Sequence, residues 1–239
     1  MQFLKPFLNM REPSPLSEKL YSLIDHFLSH LSHQKEIVDA NLIPNVKQSY
    51  PKTHINNSEI ITLWRGDITC LKIDAIVNAA NSQLLGCFQP SHLCIDNVIH
   101  TYAGPRLRDD CYKIMTAQGF EEPTGNAKIT RAYNLPSKFV IHTVGPIYEN
   151  SRKNKCKKML ESCYIRSLEV ASSVEGVKSI AFCCISTGIF GYPQKDAAEV
   201  AIDTVDKWLT NNPGKFEKVV FNVFTEKDFL IYKSILSGN

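Results

Sequence analysis

Apolar positions change their period near residue 58. Before it, Leu20, Leu23, Ile24, Phe27, Leu28 and Leu31 recur at helical spacing. They predict one helix over residues 14–33, with Ser14 or Ser17 placed to cap it. Residues 43–57 hold two Pro, three Asn and other polar residues, the composition of a linker. Residues 1–57 are therefore expected to form a helical extension and linker, and residues 58–239 one domain.

From residue 58 onward, short apolar runs alternate with longer segments of helical period. Strands are predicted at Ile60–Trp64, Ala75–Asn78, Ala127–Tyr133, Phe139–Thr143, Ser179–Ile185 and Lys218–Phe224. Helices are predicted at Asp96–Tyr102, Pro105–Ala117, Cys156–Ser173, Lys195–Leu209 and Glu226–Leu236. Several strands are apolar throughout, as strands buried on both faces must be. The alternation implies a three-layer α/β/α sandwich around a mixed, largely parallel sheet. In such folds ligands sit beyond the carboxyl ends of the strands. The loops that follow strands are therefore the ones to read for chemistry.

Composition narrows the classes of partner. The 239 residues are 44% hydrophobic and 21% charged, an ordinary globular balance. The net charge of +3, from 27 basic and 24 acidic residues, is too weak to favour nucleic acid or an anionic membrane as a partner. No apolar run approaches the roughly 20 residues of a membrane-spanning helix, and no signal peptide is readable at Met1–Met10. A cytoplasmic protein with reduced thiols is expected from this and from the eight cysteines. Without heptads or a long apolar edge, a monomer is expected.

The loop after Asn78 is the richest in chemistry. Cys87, His92 and Cys94 form a C-x4-H-x-C cluster, the ligand types zinc prefers. Three protein ligands would leave one position open, as in catalytic zinc sites. Equally, cysteine is among the most buried residue types, and these can be packing residues. Asp96 follows at the start of a predicted helix, where it can cap the helix or act as a base. Asn78 and Asn81 suit turns and also suit bonding to sugar hydroxyls.

Three other segments carry weaker signals. Gly66-Asp-Ile-Thr69 is either a capped turn or a carboxylate for a base amino group. Ser186-Thr-Gly-Ile-Phe-Gly-Tyr-Pro193 follows an apolar strand and precedes a helix. Its glycines and backbone amides suit an anion nest, although it is no Walker A loop. Asn222 and Phe224 close the last strand, where an aromatic can stack on a base or simply fill core. The basic run Arg152–Lys158 suits a solvated helix start.

These segments together resemble the macrodomain family. Gly66-Asp-Ile-Thr69, Asp74-Ala-Ile-Val-Asn-Ala-Ala-Asn81, Ile99-His-Thr-Tyr-Ala-Gly104, Thr124-Gly-Asn-Ala-Lys128, Ile141-His-Thr-Val-Gly-Pro146 and Ser186-Thr-Gly-Ile-Phe-Gly191 come in the family's order over about residues 58–237. Where the family usually has a glycine run, this chain has the longer loop with Cys87, His92 and Cys94. That loop and the N-terminal extension look like a zinc-containing subclass. The resemblance implies one zinc ion per chain and removal of mono-ADP-ribose from modified proteins by cleavage at the anomeric carbon of the distal ribose. It implies that Asp67 holds the adenine amino group with Ile68 beside it. Ser186, Thr187, Gly188, Ile189 and Phe190 would cradle the diphosphate, with Leu85 and Gly86 amides adding to it. Asn81 and Asp96 would face the distal ribose, and Phe224 or Asn222 would border the adenine. An ADP-ribose reader without catalysis, an O-acetyl-ADP-ribose deacetylase, and a purely structural zinc are the alternatives.

Overall fold

The structure, a computed structural model, describes residues 4–90 and 92–238. Residues 1–3 and 239, at the ends of the expected extension and domain, lie outside the described residues, as does Ser91 of the loop after Asn78.

The elements follow the predicted alternation. Helices α1 (Leu4–Met10) and α2 (Glu18–His33) precede a two-residue strand β1 (Val38–Asp39) and a short helix α3 (Val46–Ser49). Then come β2 (Ile61–Arg65), β3 (Leu71–Lys72), β4 (Ala75–Ala80), α4 (Ile95–Ala103), α5 (Pro105–Gln118), β5 (Ala127–Arg131) and β6 (Phe139–Val144). The chain closes with α6 (Lys153–Ser172), β7 (Ser179–Phe182), α7 (Gln194–Asn211), β8 (Lys218–Val223) and α8 (Glu226–Ser237). Six strands form one sheet in the order β2-β8-β7-β4-β6-β5, parallel except where β5 runs antiparallel to β6. Helices α6, α7 and α8 pack in series, α4 pairs with α5, and the helices cover both sides of the sheet. The three-layer mixed sandwich expected from the pattern is the fold observed.

The core explains the apolar strands. In β4 Ala75, Ile76 and Val77 are wholly buried, and β8 buries every residue after Lys218. Each strand is covered above and below, so no polar face is needed. From β4 the chain passes to β6 on one side and later to β7 on the other. Such a change of direction opens a crevice at the carboxyl ends of β4 and β7. The loops at 81–94 and 183–193 flank it.

Several boundaries differ from those predicted, the helix expected over 14–33 beginning at Glu18 and β4 running on to Ala80, and three of the shifts have local reasons. Strand β5 stops at Arg131, short of the predicted Tyr133, which has a φ of 54°. Strand β7 stops at Phe182 rather than Ile185, because the chain turns towards Ser186, whose φ is 65°. Helix α6 starts at Lys153, three residues early, since its polar first turn carries no apolar period.

The stretch 43–57 is not a free linker. Val46 and Ile55 join the main core. The Asn57 side chain and backbone both donate to Asp206 on α7. Asn45 caps α3, and Asn56 with Asn57 fastens the segment to α7. Strand β1 pairs with β3. Farther back, Ser17 caps α2, accepting from the Leu20 amide. Arg11 pairs with Asp109 on α5. No helix among the described residues is long and apolar enough to cross a membrane.

Candidate functional site

The loop after β4 folds back through its own polar groups. Asn81 Nδ2 donates to the Gly86 carbonyl (3.0 Å), and its Oδ1 accepts from the Gln83 amide (3.0 Å). Gly86 has a φ of 82°, and a Cβ there would press on His100 and on the Arg108 guanidinium, so glycine is required. Farther on, Asn97 Nδ2 donates to the carbonyls of Gln89 (2.8 Å) and His92 (2.9 Å), stapling the loop to α4.

This fold-back brings the sulfurs of Cys87 and Cys94 and a ring nitrogen of His92 within 4.8 Å of one another. Cys87 Sγ lies 3.5 Å from His92 Nδ1. Zinc bonds of about 2.3 Å to sulfur and 2.0 Å to nitrogen put a tetrahedral sulfur and nitrogen about 3.5 Å apart and two sulfurs about 3.8 Å apart, so the Cys87–His92 spacing suits one ion and Cys94 is within reach of it. All three side chains are half-buried. Burial pushes the Cys94 thiol up to about 11, so a thiolate at that position calls for a cation.

Asp96 does not cap α4; Cys94 does, with its sulfur taking the Asn97 amide. The helix starts one residue earlier than predicted, which turns Asp96 inward. It is only 5% exposed, and its Oδ1 accepts from Asn78 Nδ2 (2.8 Å). Burial raises Asp96 to about 6. Behind it, Asn78 Nδ2 also lies 3.2 Å from His142 Nδ1, and Thr130 Oγ1 lies 3.0 Å from His142 Nε2. His100, Cys111 and His142 approach within 4.8 Å of one another. Both His142 nitrogens are partnered, which holds Asn78, and so Asp96, in place, whereas neither ring nitrogen of the buried His100 has a hydrogen-bond partner and its Nε2 lies 3.5 Å from Asp96 Oδ1.

That network predicts acid lability. Desolvation lowers His142 to about 3 and holds His100 well below the ordinary imidazole value. Unfolded histidine titrates near 6.5, so below that pH the unfolded chain gains two protons that the folded chain refuses. Asp96 opposes this, because its raised folded value lets the folded chain bind a proton first below pH 6. The balance leaves stability intact above about pH 6.5 and falling towards pH 4.5 by roughly 1 kcal/mol per unit. Denaturant midpoints across this range should show the slope, and His142→Gln should flatten it. A flat wild-type profile would contradict the network's role.

Across the crevice, the loop after β7 offers free backbone donors. Tyr192 N bonds to Ser186 O and Gly191 N to Gly188 O, closing the loop at 3.0 Å each. The amides of Gly188, Ile189 and Phe190 have no acceptor among the described residues. Neither do those of Leu85 and Gly86 in the facing loop. Successive free amides form an anion nest. Ser186 is held at positive φ against Gly145, where a Cβ would overlap its hydroxyl and meet Ile185 at 2.9 Å. Gly145→Ala should therefore cost about 1–3 kcal/mol in thermal unfolding, and an unchanged melting point would argue against this close packing.

At the far end, Asp67 Oδ1 accepts from the Thr69 amide (2.9 Å) and hydroxyl (2.6 Å). Burial would raise its pKa, but the bonds from Thr69 and Lys35 outweigh it and hold the carboxyl below its ordinary value. Ile68 is buried beside it. Asn222 Nδ2 donates to the Gly66 carbonyl (2.9 Å). Ile147, Ile189 and Phe224, all beyond strand carboxyl ends, are 65%, 79% and 77% exposed. Apolar side chains so placed are what an incoming ligand would cover.

Comparison with known proteins places this arrangement. A macro domain family model matches residues 77–201. A Treponema medium protein named protein-ADP-ribose hydrolase is 47% identical over 98% of this chain and 86% of its own length. The chain belongs to the macro domain family. A Staphylococcus aureus protein of the same name is 45% identical, covering 96% of this chain and 82% of its own. Among solved structures, the Trypanosoma brucei macrodomain in complex with ADP-ribose is 31% identical with a TM-score of 0.71, covering 97% of this chain and 94% of its own.

In this macrodomain most residues singled out from sequence fall on three segments beyond the carboxyl ends of strands: Asp67 and Ile68 after β2, residues 81–96 from the loop after β4 into α4, and Ser186–Phe190 after β7; Asn222 and Phe224 stand at the end of β8. Two contributors, Lys35 and Arg108, have no sequence signal that marks them, and a third, His142, has one only through its motif. Lys35 reaches Asp67 from the extension. The Arg108 guanidinium lies 4.6 Å over the Phe88 ring and bonds to the carbonyls of Leu8 and Arg11. His142 stands behind Asn78. His100 and His142 lie within recognisable motifs, but their burial is a tertiary property.

Proposed function

We propose that this macrodomain is a zinc-dependent protein-ADP-ribose hydrolase that removes mono-ADP-ribose by cleaving the bond from the anomeric carbon of the distal ribose to the acceptor side chain. The observation that carries this reading is the convergence of Cys87, His92 and Cys94 two residues from the inward-facing Asp96. The names of the Treponema medium and Staphylococcus aureus relatives support hydrolysis, and the Trypanosoma brucei complex supports ADP-ribose as the ligand.

Each residue then has a task. Cys87, His92 and Cys94 would hold the ion, which when bound would supply Lewis acidity beside the distal ribose. Gly188, Ile189 and Phe190 donate their amides to the diphosphate, within the loop framed by Ser186 and Thr187. Asp67 accepts from the adenine amino group beside Ile68, and Phe224 flanks the base. These remote contacts position the reacting carbon. Asn81 shapes the loop against the distal ribose. Asp96, with Oδ1 engaged by Asn78, takes the proton of the attacking water on its other oxygen. Water adds to the anomeric carbon and the acceptor side chain leaves with the bonding pair.

The test is a mono-ADP-ribosylated protein incubated with the enzyme, with and without chelator, and the products weighed by mass spectrometry. Free ADP-ribose and unmodified acceptor should appear, and chelation should stop their release. Binding without release under any condition would make the chain a reader. Acetate release from O-acetyl-ADP-ribose in its place would make it a deacetylase.

A further inference from the structure

The N-terminal extension reaches the base end of the site through one side chain. Lys35, between α2 and β1, sets its ammonium 3.0 Å from Asp67 Oδ2 and 3.2 Å from Thr69 Oγ1. The same ammonium lies 3.4 Å from the centre of the Tyr102 ring on α4. An ammonium has three protons. Here two oxygens and one aromatic face take them, leaving none for a ligand.

The carboxylate is nearly filled as well. An ionised carboxylate has about four acceptor positions. Thr69 takes two on Oδ1 and Lys35 takes one on Oδ2. Apart from the weak thiol donor of neighbouring Cys70, these donors leave one position open, on Oδ2, at a side chain that is 35% exposed. A carboxylate fixed in this way can only accept. It suits an amino group and repels a carbonyl oxygen, whose lone pairs would face its own.

We propose that Lys35 is a specificity-determining positioning residue: by pinning Asp67, it makes the site select a 6-amino purine over a 6-oxo purine. The inference rests on the reading of Asp67 as the adenine-holding group. It gives the extension a role in substrate choice that the macro domain segment at 77–201 does not contain. Lys35 touches no ligand atom. Without it Oδ2 loses its fixed donor and the carboxylate can turn its open lone pair away from the base, which weakens the contact to an amino group and leaves the 6-oxo purine, with no such contact to lose, unaffected.

Calorimetric binding of ADP-ribose and of inosine diphosphate ribose, to the full chain and to Lys35→Met, tests this. The wild type should prefer ADP-ribose by at least roughly tenfold, the worth of a charge-assisted hydrogen bond. Lys35→Met should lose most of that preference, weakening ADP-ribose while leaving the inosine analogue within about twofold. Lys35→Arg, which keeps the cation, should restore part of it. Equal weakening of both ligands would show a merely structural contact and overturn the proposal. So would a wild type that binds ADP-ribose with no preference, an outcome that leaves the hydrolase reading standing. A wild type that binds neither ligand removes both.

Discussion

Replacing Cys94 by serine should abolish de-ADP-ribosylation while leaving ADP-ribose binding within a few-fold of wild type. The sulfur has two jobs, capping α4 through the Asn97 amide and standing within 4.8 Å of Cys87 and His92. Serine keeps the cap but is a poor zinc ligand. Disturbing even the groups that support a metal ligand typically costs 10- to 100-fold, so loss of a ligand should cost at least about 100-fold in kcat. On the proposed reading the binding contacts lie elsewhere, on Asp67 and on the amides at 188–190, so KM should move little. Zinc content measured on the same preparation ties the two effects. Full turnover by a zinc-free Cys94→Ser protein would refute a catalytic metal.

Asp96→Asn should lower kcat by about 100- to 10,000-fold, the usual weight of a general base, with zinc retained. Asparagine preserves the shape and can still accept from Asn78, so the buried network need not collapse. The informative comparison is Asn78→Ala. That change removes the donor that orients Asp96 and frees His142 Nδ1. It should lower kcat less than Asp96→Asn while lowering stability more, since it leaves buried polar atoms unpaired. Wild-type turnover in a zinc-loaded Asp96→Asn protein would reduce the carboxylate to a brace for Asn78.

The fold was legible because each core strand advertises burial on both faces. Runs such as Ala75-Ile-Val and Val219-Val-Phe need no alternation to be recognised, and the intervening helices force the crossovers. Strand ends were less legible because they depend on single residues at positive φ, Tyr133 and Ser186, where the local sequence carries no glycine. The segment 43–57 misled because turn-forming residues look the same on a loose tether and on a docked one; only the partners, such as Asp206, decide. In the site, local motifs marked the residues on the three loops. Asp96 was ambiguous because capping and inward pointing differ by one residue in the helix start. Lys35 was invisible because its partner is 32 positions away and no spacing rule links an extension to a loop.

The most direct test of the account is anomalous diffraction at the zinc edge from crystals grown without chelator and soaked with ADP-ribose. One peak should lie about 2.3 Å from the sulfurs of Cys87 and Cys94 and about 2.0 Å from a His92 ring nitrogen, with the distal ribose beside it and Asp96 on the same side of the sugar. Side chains of Cys87, His92 and Cys94 pointing apart, with no peak between them, would contradict the central claim and leave a macrodomain that binds its nucleotide without a metal to act on it.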